Sequence, residues 1–323
     1  MVLQPASVEE LCRTLGEANA RAEKITALDL RALDRVVEYT PEDMTVTVQA
    51  GLTLAQLQAR LAERGQWLPI DPPQPDRLSI GALLATNASG PRRYGHGTIR
   101  EHLLGIRVAL ADGRLIKAGG KVVKNVAGYD LCKLFVGSYG SLGVIAEATF
   151  KVQPLPEAEQ PVQARCDSLD EAGKLIEAIV ESPLTPIALD LHNVPPATPA
   201  TSNQQPSPLL CVILAFAGTR EEVDWQLAEA RRLGAFEAAE LDYETRFRTA
   251  ASADAPHTLS VLPSKLTGAL RDLGTVTFVA RAGNGVVYYR GGPAPPKLAF
   301  PRQLTQRVKD AYDPKHILPE LPL

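Results

Sequence analysis

The sequence predicts an α+β fold in two parts, and three observations carry that reading. Strand-like alternation and helix-period patterns follow one another along the chain. The turn Ala111-Asp-Gly113 joins two strand-like runs as a hairpin, so at least one pairing is antiparallel. A change of composition at 154–159, bounded by prolines, divides the 323 residues, and the length itself suggests two domains.

The elements follow in order. Ser7-Val-Glu-Glu10 has the form of a capping box and opens a helix with Leu11 and Leu15 on one face. Residues 45–49 alternate as a strand, Ala50-Gly51 breaks it, and a helix starts near Thr53 with Leu54, Leu57 and Leu61 at helical spacing. Pro69, Pro72, Pro73 and Pro75 make a stiff connector, and a glycine-rich loop region runs to about Gly97. Residues 103–110 read as a strand, 114–117 as its hairpin return, and 144–152 as a long strand closed by Pro154-Leu-Pro156. Beyond it come a strand at 162–165, a helix at 169–180 and a strand at 186–191. A loop or partly disordered insert covers 194–208, followed by a strand at 209–216 and a helix at 221–233. That order suits a compact α+β domain with one antiparallel sheet.

Composition removes several function classes. Thirty-four Lys and Arg against 37 Asp and Glu give a net charge of −3, and 45% hydrophobic residues exclude disorder as the main state. No apolar run reaches the roughly 20 residues of a membrane span, and the first 24 residues lack the basic start and apolar core of a signal peptide. Cys12, Cys132, Cys166 and Cys211 form no CxxC pair, which argues against a disulfide framework, a zinc finger or a cysteine-ligated cluster and for the cytoplasm. From Arg92 to Lys124, eight Lys and Arg face two acids, a local net charge of +6. For most of them a solvated strand face is the expected setting, with Arg93 and Arg100 the candidates for facing an anionic cofactor or a partner. Few aromatics interleave with the basic stretch, which speaks against nucleic acid.

The chemistry-bearing stretch is 78–91, where Ser79, Gly81, Ala82, Ala85, Thr86, Ala88, Ser89 and Gly90 surround a short apolar helix. Small side chains let backbone N–H groups approach a ligand, but they also let a helix pack tightly on a sheet. Gly137-Ser-Tyr-Gly140-Ser-Leu-Gly143 is a second cluster, leading into a strand. Glycines before a strand are not the dinucleotide fingerprint, which opens a helix, and no GK[ST] follows them. No GxSxG elbow occurs. The five histidines, His96, His102, His192, His257 and His316, show no metal-binding spacing, and His96 alone lies in the glycine loop. Asp130 is placed to cap a short following helix.

Several ordered motifs resemble the FAD-linked oxidases with a PCMH-type FAD-binding domain, and within them the FAD-binding subunits of glycolate oxidases. These are Thr45-Val-Thr-Val-Gln-Ala-Gly51, Ile80-Gly-Ala-Leu-Leu-Ala-Thr-Asn-Ala-Ser-Gly90, Gly97-Thr-Ile-Arg-Glu101, Ala109-Leu-Ala-Asp-Gly113, residues 119–131, Gly140-Ser-Leu-Gly-Val-Ile145 and, near the C-terminus, Ala311-Tyr-Asp-Pro-Lys-His-Ile-Leu318. The resemblance covers nearly all of 1–155 and is diffuse over 156–300. It implies a two-subdomain FAD-binding module over 1–155, a small antiparallel-sheet α+β domain over 156–299, and a C-terminal helix and tail over 300–323 that return to the flavin side. It implies non-covalent FAD, held by Ser79, Ile80, Gly81, Thr86, Asn87, Ser89, Gly90, Gly97, Thr98, Gly143, Val144 and Ile145.

This sequence departs from the family's pattern twice. The glycine-rich loop that would hold the FAD diphosphate is expected between Lys24 and Leu30 but is missing from Ala20-Arg-Ala-Glu-Lys-Ile-Thr-Ala-Leu-Asp-Leu30, and with it any histidine for a covalent link. The histidines that related D-2-hydroxy acid dehydrogenases carry in the substrate domain are replaced by Ala280-Arg-Ala-Gly-Asn-Gly-Val286. The resemblance therefore implies an accessory flavin subunit that accepts or relays electrons, with no metal of its own. Its partners would be a companion flavin subunit and an iron-sulfur subunit, acting on a small 2-hydroxy acid at the level of the complex. The complex would be cytoplasmic, with room for peripheral attachment to the inner membrane through partners. Arg281 and Arg290 are the candidates for a substrate carboxylate, while His257 and His316 are isolated in sequence. Two other readings stand beside this one: an independent FAD oxidoreductase of unknown small substrate, and an assembly subunit that has lost its flavin.

Overall fold

The computed structural model describes residues 1–120, 130–195, 209–250, 255–296 and 301–321. The expected loop over 121–129 and most of the insert expected over 194–208 lie outside the described residues. The chain divides into two units, the first made of Met1–Ser89, Thr98–Leu155 and Leu298–Leu323, the second of Gly90–Gly97 and Pro156–Lys297.

In the first unit, five antiparallel strands lie in the order Val36–Thr40, Thr45–Gln49, Val144–Lys151, Leu103–Ala109, Leu115–Gly119. Val46, Val48, Ile106, Val108, Ala148 and Phe150 pack beneath the helices Leu54–Ala62 and Ile80–Thr86. A small parallel pair, Val2–Leu3 with Ala27–Leu28, is joined by the helix Val8–Ala20. Ser7 caps that helix by accepting from Glu10 N at 3.1 Å, while Glu10 reaches back to Ala6 N at 2.8 Å, one residue before the cap. Leu11 and Leu15 are fully buried against Ala109, Val144 and Ile317. At Thr53 a full capping box with Gln56 starts the helix that buries Leu54, Leu57 and Leu61. The short apolar helix read within 78–91 is Ile80–Thr86, and the glycine-rich region also holds the short helices Arg93–His96 and, just past it, Ile99–His102. Each is seven residues or fewer, too short for periodicity to show.

In the second unit, seven strands form one antiparallel sheet, in the order Glu237–Ala238, Ala158–Cys166, Leu210–Gly218, Ala188–His192, Thr277–Arg281, Val286–Arg290, His257–Ser260. The sheet is larger than the sequence suggests, because four of its strands lie beyond the helix Arg220–Leu233. One face buries Leu189, Leu191, Val212, Leu214 and Phe216 against the helices Leu169–Glu181, Arg220–Leu233 and Leu266–Leu273. The other carries Asp190, His192 and Arg281 against the helix Tyr243–Thr249. The excursion Gly90–Gly97 packs into this unit tightly. A Cβ on Gly95 would lie 2.6 Å from Ile187 Cα, and one on Gly283 2.0 Å from the Tyr94 ring.

Candidate cofactor site

A cavity of about 340 Å³ opens in the first unit, a volume within the range of small-molecule sites. Four stretches line it: 25–30, the helix start at Ser79, Gly81, Ala82 and Ala85, the loop and strand start at Tyr139, Gly140, Gly143, Val144 and Ile145, and the tail residues Leu318 and Pro319. Its described lining holds no lysine, arginine, histidine or cysteine.

Local hydrogen bonds fix the wall 79–85 against the sheet. Ser79 Oγ accepts from Ala82 N at 3.2 Å, Ile80 N donates to Leu52 O at 2.8 Å and Gly81 N to Ala50 O at 2.7 Å. A Cβ on Gly81 would lie 3.0 Å from Ala50 Cβ, so its small size first serves the approach of helix to strand, and the residue still lines the cavity. The helix ends where Asn87 turns left-handed, at φ 51°. The glycine loop is bonded to the same helix: Gly137 N donates to Leu84 O and Tyr139 N to Ala85 O, each at 2.9 Å. Gly140 has φ 74°, and a Cβ there would meet nothing within 4 Å. Gly143 is a packing glycine, since a Cβ would lie 2.6 Å from Val108 Cγ1.

The expected diphosphate loop is replaced by side chains. After Ala22, at φ 52°, the chain runs directly into Ala27–Leu28 beside Val2–Leu3, and Thr26, Leu28 and Leu30 face the cavity. Leu33 N donates to Leu30 O and Gly51 N to Leu33 O, both at 2.8 Å, which holds the turn after the strand.

The residues expected to bind the cofactor separate into groups. Ser79, Gly81, Gly143, Val144 and Ile145 are brought together around the cavity. Ile80 is fully buried in the core, and Thr86 donates to Ala82 O at 2.7 Å. Asn87 Oδ1 and Ser138 Oγ are buried without a hydrogen-bond partner. Ser89 is buried outside the lining, Thr98 forms a capping box with Glu101, and Gly90 and Gly97 belong to the second unit. The sequence reading did not name Thr26, Leu28, Tyr139, Gly140, Leu318 or Pro319 as cofactor residues, although the three-residue glycine spacing marked Gly140 and the tail motif ended on Leu318.

Charge and polar chemistry lie elsewhere. Arg92 pairs with Glu159, Arg107 with Glu147 at 2.8 Å and Arg114 with Asp112 at 2.7 Å, so these three of the eight cations are matched in place, two of them by acids from outside the segment. Arg100 and Lys117 are exposed. Asp130 accepts from Lys133 N at 3.3 Å at the start of the helix Cys132–Phe135.

In the second unit Arg281, 1% exposed, pairs with Asp190 and, at 2.6 Å, with Glu244. Tyr243 donates to Asp190 at 2.6 Å. Burial pushes the Asp190 carboxyl up against the pull of Arg281. Burial also raises Glu244, but Arg281 and Arg248 outweigh it and hold that carboxyl down. Arg290 donates to the carbonyls of Phe247 and Arg248, each at 3.1 Å. Both arginines proposed for a substrate carboxylate are thus committed within the protein, a correction to the sequence reading. His192 stacks on Tyr243 at 4.5 Å, accepts from Val194 N through Nδ1, and burial holds its imidazole down at about 4. His316 is bonded to Asp310 and Glu320, and His257 lies against Tyr289. Among the described residues no three His, Cys, Asp or Glu are placed to hold a metal ion.

The class is set by the domain over the first unit, an FAD-binding domain of the PCMH type. Residues 13–119 match the family described as FAD binding domain, and the chain carries that domain. It is homologous to glycolate oxidase subunits and D-lactate dehydrogenases. Glycolate oxidase subunit GlcE of Escherichia coli (strain K12) is 39% identical over 163 residues, 50% of this chain and 45% of that protein. Glycolate oxidase subunit GlcD of Bacillus subtilis (strain 168) is 34% identical over 163 residues, 50% of this chain and 35% of that protein. A probable mitochondrial D-lactate dehydrogenase of Danio rerio is 41% identical over 132 residues, 40% of this chain and 26% of that protein. The chain spans less than half the length of these relatives. Solved alkyldihydroxyacetonephosphate synthase shares the fold, with a TM-score of 0.74 and 18% identity over 98% of this chain and 76% of that one.

Aliphatic walls, a tyrosine and open space at Gly140 fit the apolar ring system of a flavin, while nothing in the described lining matches the charge of its diphosphate. Among the described residues no helix is long and apolar enough to cross a membrane.

Proposed function

We propose that this chain is the FAD-binding subunit of a glycolate oxidase-like complex, and that substrate deprotonation belongs to a companion flavin subunit. Bound FAD supplies the electron-accepting and electron-relaying chemistry. Ser79, Gly81, Gly140 and Gly143 bring backbone close to it, and Leu28, Leu30, Val144 and Leu318 exclude water from one side. The reading of an accessory subunit rests on Arg281. A 2-hydroxy acid oxidase holds the substrate carboxylate, typically by a bidentate arginine, and removes the hydroxyl proton with a base or a metal. Arg281 is instead buried with two carboxylates of its own.

The test is turnover. The purified chain, loaded with FAD, should not oxidise glycolate or D-lactate with an artificial acceptor, and activity should appear when companion flavin and iron-sulfur subunits are added. Turnover by the chain alone on the order of 1–10³ per second would establish the independent oxidoreductase instead. A second reading, an assembly subunit without flavin, is favoured by one observation: no cation stands in the described lining of the cavity. A visible spectrum of the purified chain separates the two, flavin bands supporting the first and a colourless protein the second.

A further inference from the structure

We infer that Lys309 is a positioning residue for the cofactor cavity, because its ammonium group and the Asp313 carboxylate hold three of the cavity's walls in register. The inference rests on the reading that FAD occupies this cavity.

Lys309 is on the helix Arg302–Tyr312 and only 5% exposed. Its Nζ donates to Ser141 O at 2.9 Å, Asp313 Oδ2 at 2.7 Å, Pro319 O at 3.0 Å and Leu318 O at 3.2 Å. An ammonium has three protons, so at least one is shared between these four oxygens. Ser141 lies between Gly140 and Gly143, which line the cavity, and Leu318 and Pro319 line it themselves. One buried cation therefore bonds the tail to the glycine loop, which lies 168 residues before it in sequence.

Asp313, fully buried, completes the arrangement. Its Oδ1 accepts from Ile317 N at 3.0 Å and its Oδ2 from Leu318 N at 2.9 Å, which folds the tail back after the helix. Ile317 O then accepts from Ile25 N at 2.8 Å, reaching the third wall. The helix itself is anchored by Tyr312, whose ring meets Phe135 edge-on at 5.6 Å. A separate bond of the tail, from Lys315 Nζ to Asn19 O at 2.8 Å, goes to the last turn of the helix Val8–Ala20 and not to the glycine loop. A buried ion pair seldom adds net stability over an apolar pair of the same shape, so what this one supplies is geometry.

The test uses the full chain. Lys309→Met strands Asp313 as a buried charge and risks unfolding, so the double variant Lys309→Met/Asp313→Asn, which leaves no buried charge, is made beside it. Arg307→Met, on the exposed side of the same helix, is the control. Amide hydrogen exchange of the FAD-free protein should speed up together in 139–145, 316–320 and 25–30 in the double variant and stay unchanged in the control. Flavin-fluorescence titration should show FAD affinity falling about tenfold or more, since the competent arrangement would be populated only part of the time. The circular dichroism of the bound flavin should change as well. Loosened walls with unchanged affinity, or unchanged exchange at 139–145, overturn the inference. If the unaltered chain binds no FAD at all, the cofactor reading fails by itself, and exchange then decides the clamp: joint loosening upholds it, independent behaviour of the three segments overturns it.

Discussion

A Cβ on Gly51 would stand 1.8 Å from the carbonyl oxygen of Leu30, closer than any pair of unbonded atoms allows. Gly51 is thus the point where the end of the strand Thr45–Gln49 presses on the turn behind the cavity wall. Gly51→Ala should displace Leu30 and cost about 1–3 kcal/mol of stability by overpacking. FAD affinity should fall with it. Denaturant unfolding and flavin titration check both, and a variant with the original midpoint and affinity would show that the wall gives way freely.

Gly140 offers the complementary case. Nothing stands within 4 Å of a Cβ there, but its φ of 74° disfavours most side chains. Gly140→Asn suits that backbone region and should change stability by less than about 1 kcal/mol, while its amide projects into open space and lowers FAD retention. The ratio of flavin to protein after gel filtration measures this. Full retention would remove Gly140 from the cofactor's path.

Arg281→Met leaves Asp190 buried without its cation and Glu244 with Arg248 alone, and about 3–5 kcal/mol of destabilisation is expected. The decisive comparison is with the assembled complex. A variant that melts normally but raises KM for the hydroxy acid would make Arg281 a substrate ligand and sink the accessory reading.

His192 predicts a dependence on acid. Its imidazole ionises near 4 when folded and near 6.5 when unfolded, because burial disfavours the cation. Between those values the unfolded chain binds more protons, so the stabilisation is complete above about pH 6.5 and is lost as pH falls toward 4. His192→Asn keeps an acceptor for Val194 N and cannot ionise. Its unfolding free energy should fall less steeply than the unaltered protein's over that range. Parallel slopes would mean that His192 takes its proton without penalty.

The α+β class was legible because caps, proline breaks and one hairpin turn punctuate the chain at regular intervals. Ser7, Thr53 and Gly113 each act within a few residues, which is the distance over which sequence pattern speaks. The strands Thr277–Arg281 and Val286–Arg290 were not legible, since both are five-residue runs without regular alternation of polar and apolar residues. The cavity was half legible. The small residues at 79–81 and 140–145 stand out in composition, but Thr26, Leu28 and Leu318 are ordinary residues whose role comes from contacts between distant segments. The roles of Arg281 and Arg290 depended on Asp190, Glu244 and the Phe247 carbonyl, none of them near in sequence.

The first unit takes its last stretch from Leu298–Leu323, and that bears on how the molecule comes off the ribosome. When residue 297 has been added, every segment of the second unit exists, Gly90–Gly97 included, while the cavity of the first still lacks Lys309, Leu318 and Pro319. Domains generally fold as units during synthesis, N-terminal ones first. Here that order is reversed: the unit begun first is completed last, and a chain stopped before Lys309 would hold every segment of the second unit and a first-unit cavity without its Leu318–Pro319 wall.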